Sequence, residues 1–232
     1  MNMRTCRTEM LLGEQALTKL TNAHVAVFGL GGVGSYCAEA LARAGIGALT
    51  IVDDDVIADS NINRQLYALT TTVGRYKTDV AAERIADINP ACVVTKKRIR
   101  YNETTTNEFD FAKFDYVVDA IDTVASKLLL AEVCAKVGVP LVSCMGTGNK
   151  LDPTAFRVAD VFQTKVCPLA KVMRRELKRR GVTALKVVYS EEEPLTPSQL
   201  ETTAKRQTPG SVSFVPPVAG MILASVVVKD LI

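Results

Sequence analysis

Short apolar runs alternate with amphipathic stretches along most of the chain, and their order predicts the fold class. Apolar runs at residues 25–28, 48–52, 92–95, 116–118 and 140–143 predict five strands, and helical patterns separate them. Strands that alternate with helices form a mostly parallel sheet. We therefore predict a Rossmann-like, doubly wound α/β fold with helices on both faces of the sheet.

The helices are recognised by apolar residues spaced three or four positions apart. They are predicted at residues 8–20, 33–44, 78–88, 102–111 and 125–136. Past Gly146 the order changes, with strands expected at 155–161 and 186–189 and a basic helix at 168–180 between them. An apolar helix that begins at Pro216 follows. These last segments predict a small C-terminal extension of the sheet.

Composition narrows the class of protein. Hydrophobic residues make up 48% of the chain and the mean hydropathy is +0.15, which favours a folded globular protein over a disordered one. The apolar run at residues 218–228 is too short to cross a bilayer, and the first residues lack a signal-peptide pattern. The net charge of +3 is too small to indicate nucleic-acid binding by itself. We expect a soluble, cytoplasmic protein with no membrane partner.

The six cysteines are scattered without a C-x-x-C pair, and most fall inside apolar segments. This pattern favours reduced thiols in the core over a disulfide framework, and it argues against a four-cysteine zinc site. The sequence contains one histidine, His24, so a histidine-based catalytic triad is disfavoured.

A glycine-rich turn joins the first predicted strand to the helix that follows it. Gly29, Gly31 and Gly34 have the G-x-G-x-x-G spacing, and Asp53 follows the second strand. Such a turn binds phosphate because its backbone can approach the ligand closely and the helix N-terminus faces the negative charge. A carboxylate at the position of Asp53 hydrogen-bonds a ribose hydroxyl. The turn therefore predicts a nucleotide site, and a tight turn that binds nothing is the alternative.

Polar residues at the carboxyl ends of the predicted strands favour ATP over NAD. Ligands of doubly wound sheets bind outside these ends. A triphosphate carries more charge than the pyrophosphate of a dinucleotide, so it needs side-chain cations and a metal. Arg64 and Lys77 would supply the cations, and Asp122 would supply an oxygen ligand for Mg²⁺. Taken singly, each residue has a simpler reading as a surface charge or a helix cap.

Several motifs resemble those of the ThiF/MoeB/HesA adenylating enzymes, a superfamily that also contains the ubiquitin-activating enzymes. They are G-L-G-G-V-G-S (29–35), V-D-D-D (52–55), N-I-N-R-Q (61–65), V-G-R-Y-K (73–77) and V-V-D-A-I-D (117–122). Further motifs resemble one branch, the tRNA threonylcarbamoyladenosine dehydratases. They include R-T-E-M-L-L-G (7–13), M-G-T-G-N-K-L-D-P-T (145–154) and P-L-A-K-V-M-R-R-E-L (168–177). The resemblance covers nearly the whole chain.

The resemblance implies a site for ATP and Mg²⁺. We expect ATP to be bound by Gly29, Gly31, Gly32, Gly34, Asp53, Asp55, Asn61 and Gln65, and catalysis to depend on Arg64, Lys77, Asp122 and Arg7. In this reading Asp122 is the metal ligand. Arg7 resembles an arginine that reaches the ATP of the other subunit, which implies a homodimer. Thr123, next to the expected metal ligand, stands where many relatives have Asn, which is a departure from the family pattern at the metal site. The paired C-x-x-C zinc motifs of sulfur-carrier activators are absent, so no zinc is expected.

The branch resemblance also implies a reaction, the ATP-dependent dehydration of threonylcarbamoyladenosine in tRNA to its cyclic form. The threonine carboxylate would attack the α-phosphate, and closure of the resulting acyl adenylate by the carbamoyl group would expel AMP. We expect residues 1–150 to form the nucleotide-binding core of a single domain. Residues 151–232 would face the tRNA and include a mobile loop at 191–211.

A basic helix is the expected tRNA contact. Its cationic residues are Lys171, Arg174, Arg175, Lys178 and Arg179. They would lie along the phosphate backbone and make the affinity sensitive to salt, and a solvated helix face is the alternative. Sulfur-transfer proteins are further partners that the family suggests.

Two other functions use parts of the same pattern. The first is adenylation of the C-terminal carboxylate of a ubiquitin-like sulfur-carrier protein. The second is an NAD-binding oxidoreductase or a nucleotide sensor, which needs only the glycine-rich turn and Asp53.

Overall fold

A seven-stranded sheet runs through the computed structural model, which describes residues 3–198 and 209–232. The strands are β1 (His24–Phe28), β2 (Ala48–Val52), β3 (Val93–Lys97), β4 (Tyr116–Asp119), β5 (Leu141–Cys144), β6 (Phe156–Asp160) and β7 (Lys186–Ser190). Their order across the sheet is β3-β2-β1-β4-β5-β7-β6, and β6 pairs antiparallel with β7 while the other pairs are parallel. The mostly parallel sheet with a C-terminal extension is therefore confirmed.

Helices cover both faces of this sheet. They are α1 (Cys6–Leu12), α2 (Glu14–Asn22), α3 (Gly34–Ala44), α4 (Lys77–Ile88), α5 (Val124–Val137), α6 (Pro168–Arg179) and α7 (Val215–Leu231). Alternate residues of β1 belong to different cores: Val25 and Val27 pack with residues of α3 and α7, and Phe28 packs with Phe111 and with α5. Because side chains of a strand alternate between faces, both faces are buried, and the doubly wound arrangement is confirmed.

The strand order places a switch point between β1 and β4. Strand β1 pairs with β2 on one side and with β4 on the other, so the connections leave this position in opposite directions. In such sheets the connecting loops separate at the carboxyl ends of the two strands and leave a crevice there. Gly29 follows β1 and Ala120 follows β4, which places both at this crevice.

Two sequence predictions are wrong. The helix predicted at 8–20 is two helices, because Gly13 has a positive φ of 83° and the chain turns there. The helix predicted at 102–111 is a turn followed by two short 3-10 segments. The side-chain oxygen of Asn102 accepts the backbone N–H groups of Thr104 (2.9 Å) and Thr105 (3.2 Å), a local bond that competes with helix formation.

The predicted loop at 191–211 falls partly outside the described residues. Its described parts, 191–198 and 209–211, contain neither helix nor strand, and residues 199–208 are not described. Within the described ranges, no helix combines the length and the apolar character that a membrane crossing requires.

The cysteines are free thiols, as predicted, and five of the six are buried. Burial raises the pKa of Cys134 and of Cys144 to about 12, with smaller contributions from neighbouring charges. Both side chains therefore stay neutral near pH 7 and act as small core residues.

Helices α3 and α7 pack with their backbones unusually close, and Gly220 makes this approach feasible. A Cβ atom at Gly220 would lie 2.3 Å from the carbonyl oxygen of Val33 and 3.1 Å from the backbone nitrogen of Cys37. Neither backbone atom can move without shifting α3. The glycine-rich turn precedes α3 directly, so this contact also fixes the helix on which the turn depends.

We predict that Gly220→Ala lowers the free energy of unfolding by about 1–3 kcal/mol, because the new methyl group separates the two helices. Ser225→Ala, on the exposed side of the same helix, is the matched control. It should leave stability unchanged or slightly raised, since alanine is the better helix former. Urea denaturation followed by circular dichroism measures both, and equal stabilities of the two variants would contradict the prediction.

Candidate functional site

A cavity of about 850 Å³ lies at the carboxyl ends of the central strands. Its wall includes the glycine-rich turn, the residues that follow β2 and the segment after β4. It also includes three later segments, residues 144–150, 167–169 and 209–211. The cavity is thus formed by both halves of the chain around the switch point, where this fold class binds its ligands.

The glycines of the turn are required by close backbone contacts. Gly29 has a φ of 90°, and a Cβ atom there would lie 2.7 Å from the carbonyl oxygen of Ala120. A Cβ atom at Gly34 would lie 1.8 Å from the carbonyl oxygen of Gly29. Gly31 and Gly32 line the cavity, and among the described residues no side chain caps the N-terminus of α3. Ser35 donates its N–H to the carbonyl of Gly31 (3.1 Å), so an anion such as phosphate would meet the other N–H groups of the turn and the positive end of the helix dipole.

Asp53, at the end of β2, is bound to the turn by hydrogen bonds. Its carboxylate accepts the N–H of Leu30 at 2.7 Å and the N–H of Asp55 at 2.9 Å. Burial raises the pKa of Asp53, although Lys77 and these two hydrogen bonds oppose the change. The Nζ of Lys77 lies 2.6 Å from Asp55 and 3.6 Å from Asp53. A phosphate oxygen would therefore compete with carboxylates for Lys77.

The segment between β2 and α4 brings three more predicted residues to the cavity wall. Asn61, Arg64 and Gln65 line it together with the glycine-rich turn. The guanidinium of Arg64 donates to the carbonyl of Ser60 (2.9 Å) and to the side chain of Asn63 (2.7 Å). These two bonds use the same nitrogen, Nη1, so the other guanidinium nitrogens can contact a ligand.

The third part of the wall is the segment that follows β4. Asp122 is exposed on the cavity wall, where its carboxylate accepts the hydroxyl of Thr123 at 3.2 Å. A buried ion pair fixes the position of this segment. The Nζ of Lys127 lies 2.9 Å from the carboxylate of Asp119, and it also donates to the carbonyl of Ile121. Asp119 further accepts the hydroxyl of Ser143 at 2.6 Å. An exposed carboxylate such as that of Asp122 suits Mg²⁺, which is usually held by one or two carboxylates plus phosphate oxygens.

Some predicted residues lie elsewhere. Gly34 packs against the backbone of Gly29 and is not part of the cavity wall. Arg7 lies on α1, outside the cavity wall of its own chain. The five basic residues of α6 also lie outside the cavity. The site that the sequence predicted at the strand ends is thus assembled from Gly29, Gly31, Gly32, Asp53, Asp55, Asn61, Arg64, Gln65, Lys77 and Asp122.

Two cations on the cavity wall escaped the sequence reasoning. Arg100 follows β3 and donates to the hydroxyl of Thr123 at 3.3 Å, and the strand-end rule that selected Asp53 applies to it equally. Lys150 is 3% exposed and lies beside Cys167. It belongs to the M-G-T-G-N-K motif, but the sequence carries no sign of its burial.

Comparison with known proteins assigns the chain to a family. Residues 5–231 match the model of the ThiF family. The chain is 42% identical to the tRNA threonylcarbamoyladenosine dehydratase of Bacillus subtilis over 97% of its own length and 93% of that protein. It is 44% identical to the Escherichia coli protein of the same name, over 74% of the chain and 64% of that protein.

A solved structure agrees in fold over almost the entire chain. The crystal structure of the Escherichia coli tRNA N6-threonylcarbamoyladenosine dehydratase in complex with ATP superposes with a TM-score of 0.91 and 37% identity. The match covers 98% of this chain and 93% of that one. With the family match and the curated relatives, this places the chain in the ThiF family, in the branch of the tRNA threonylcarbamoyladenosine dehydratases.

Proposed function

We propose that the chain is an ATP-dependent enzyme that converts threonylcarbamoyladenosine in tRNA to its cyclic form through an acyl adenylate. One observation carries the proposal. The glycine-rich turn, the cations Arg64 and Lys77 and the carboxylate of Asp122 line one cavity, in a chain 42% identical to a dehydratase of that name. An ATP complex of a second such protein supports ATP as the nucleotide.

The wall formed by the glycine-rich turn and the segments after β2 and β4 has charges that suit ATP. The phosphates would lie against Gly29, Gly31 and the N-terminus of α3, where N–H groups and the helix dipole favour negative charge. Asp53 would accept a ribose hydroxyl. A phosphate oxygen would replace Asp55 as the ion-pair partner of Lys77.

Asp122 would hold Mg²⁺ in the proposed site. The bound ion would neutralise phosphate charge and so favour departure of pyrophosphate. Asp122 suits this task because it is exposed on the cavity wall and its segment is fixed by the Asp119–Lys127 pair. The protein therefore contributes one carboxylate in a defined position.

The chemistry itself needs position and charge more than a protein nucleophile. A carboxylate oxygen of the threonyl group attacks the α-phosphorus, the bond to pyrophosphate breaks, and an acyl adenylate forms. An atom of the carbamoyl group on the same side chain then attacks the acyl carbon and expels AMP. The substrate loses the elements of water overall, while ATP becomes AMP and pyrophosphate. Arg64 would stabilise the charge that grows on the phosphates. Zinc has no part in this scheme.

A homodimer would complete the site. None of the residues of α1 is buried, and Met10 and Leu11 are 75% and 83% exposed. Apolar side chains at this exposure favour a covering partner. Arg7 lies on the same helix and outside the cavity wall of its own chain. In the proposed dimer it would contact the ATP bound to the second subunit.

Helix α6 is the proposed tRNA contact within the extension formed by residues 151–232. Lys171 and Lys178 are exposed and, among the described residues, form no ion pair. Arg175 and Arg179 are exposed and share Glu176, at 2.8 and 3.2 Å. Arg174 differs from the others, because it is half-buried and donates to the carbonyl of Thr164 at 2.9 Å. We therefore assign Arg174 a structural role and propose that the other four cations contact the tRNA backbone.

The cytoplasm is the proposed location, because it suits a tRNA substrate. Sulfur-transfer proteins stay predicted partners, and no surface is assigned to them.

The first experiment tests the reaction itself. We expect purified protein with MgATP to release pyrophosphate only when tRNA carrying threonylcarbamoyladenosine is added, and mass spectrometry of the nucleosides should find a product 18 Da lighter, the mass of the water lost. The same tRNA without the modification is the control. Pyrophosphate release that needs a carrier protein instead, or NAD binding without pyrophosphate release, would replace the proposal with one of its alternatives.

The second experiment tests Arg64. Arg64→Ala should slow single-turnover pyrophosphate release by about a hundred- to a thousandfold, the usual loss for one preorganised donor. Arg157→Ala, an exposed arginine on β6 outside the cavity, is the matched control and should react at the normal rate. Near-normal adenylation by Arg64→Ala would remove the proposed role of Arg64.

Asp122→Ala should raise the Mg²⁺ concentration needed for half-maximal rate. An unchanged Mg²⁺ titration for this variant would remove the proposed role of Asp122.

The third experiment tests α6. Charge reversal of Lys171, Arg175 and Lys178 should weaken tRNA binding at low salt and flatten its salt dependence, since each lost phosphate contact reduces the slope by about one. The same number of reversals on other faces, at Lys19, Lys113 and Lys229, controls for the change in net charge. Equal affinities of the two triple variants would show that α6 is a solvated face.

A further inference from the structure

The cavity wall includes segments that the proposed ATP site does not use. Segments 144–150, 167–169 and 209–211 line the cavity and carry none of the residues proposed for ATP. Among the described residues of these segments, Lys150 is the one charged side chain on the cavity wall. The group that reacts in the proposed function is a carboxylate, which must be taken out of water and held near the α-phosphate.

Lys150 is buried and has no counter-ion among the residues that the structure describes. It is 3% exposed, and its amine donates to the backbone carbonyl of Glu192. The carboxylate of Glu192 is turned away, because it accepts the N–H groups of Leu151 (2.8 Å) and Asp152 (3.0 Å). Within the described part of the chain, no carboxylate lies within ion-pair distance of Lys150. A buried charge in this situation is costly unless a ligand neutralises it.

The backbone and the amine of Lys150 are both restrained. The preceding residue, Asn149, has a positive φ of 57° and bonds to Leu195 and Gly210. It donates to the carbonyl of Gly210 (2.8 Å), its side chain accepts the N–H of Gly210 (2.6 Å), and its carbonyl accepts the N–H of Leu195 (2.8 Å). These bonds fix the backbone from which Lys150 extends, and the carbonyl of Glu192 holds the amine itself. An amine restrained in this way is suited to recognition of a small anionic group.

We infer, on the basis of the proposed function, that Lys150 binds the carboxylate of the threonylcarbamoyl group and determines specificity for the charged form of the substrate. A hydrogen bond from the amine to one carboxylate oxygen leaves the other oxygen free to attack phosphorus. Burial lowers the pKa of Lys150, with Cys167 and Glu192 opposing the change. The bound carboxylate supplies the missing negative charge, so each of the two groups stabilises the ionised form of the other.

The test compares two RNAs that differ in charge at one group. One tRNA carries threonylcarbamoyladenosine as the free acid and the other carries its methyl ester, and both are bound in the presence of Mg²⁺ and the unreactive analogue α,β-methylene-ATP. The wild-type protein should prefer the acid by about 10- to 100-fold, the usual range for a charge-assisted hydrogen bond. Lys150→Met should bind both RNAs equally and keep its affinity for the ATP analogue within about twofold.

Two controls separate charge recognition from structural damage. Lys136→Met removes an exposed lysine from α5 and should retain the preference for the acid. Glu192→Ala releases the loop flank without removing the amine, and it should also retain the preference even if overall affinity falls. Loss of the preference in Glu192→Ala to the same degree as in Lys150→Met would show that Lys150 acts only through the loop, and this overturns the inference.

The outcomes also distinguish the inference from the proposed function. If the wild-type protein releases pyrophosphate with the modified tRNA but binds acid and ester equally, Lys150 has no role in carboxylate recognition. The same conclusion follows if Lys150→Met keeps the preference. If the wild-type protein releases no pyrophosphate with the modified tRNA and MgATP, the proposed function itself fails.

Discussion

The site depends on two backbone segments that touch at the switch point of the sheet. The turn after β1 lies so close to the segment after β4 that a Cβ atom at Gly29 would be 2.7 Å from the carbonyl oxygen of Ala120. Within the turn, a Cβ atom at Gly34 would be 1.8 Å from the carbonyl oxygen of Gly29. These contacts leave no space for side chains. They bring the turn before α3 against the segment that carries Asp122, so the N–H groups proposed to bind phosphate and the carboxylate proposed to bind Mg²⁺ line the same cavity.

The charges around this contact are arranged in two layers. The lower layer is buried and neutral overall, since Asp119 and Lys127 pair at 2.9 Å with both side chains fully buried. Ion pairs of this kind contribute little net stability but are costly to break, so they fix a conformation more than they stabilise it. The upper layer faces the cavity and contains Arg64, Lys77, Arg100 and Asp122.

The sequence predicted the frame of the site well because that frame rests on local patterns. Strand β2 was placed at 48–52, as observed, and the glycines and carboxylates at strand ends converge because parallel strands end at one edge. The helix at 102–111 failed because Asn102 makes a local turn whose bonds outweigh the apolar spacing. Pairings between distant segments were also out of reach. The sequence around Arg174 does not indicate its hydrogen bond to Thr164, and the sequence around Lys150 does not indicate its hydrogen bond to the carbonyl of Glu192.

Asn149 bonds to Leu195 and to Gly210, which lie on either side of residues 199–208 in the sequence. The two ends of the intervening chain are therefore brought together at one residue, whatever the chain between them contains. The entropy cost of closing a chain segment grows only with the logarithm of its length, about 0.6 kcal/mol for each doubling. Insertions or deletions in this stretch should thus be inexpensive and leave the cavity wall in place, which makes it a natural position for evolutionary variation in length and for an engineered tag.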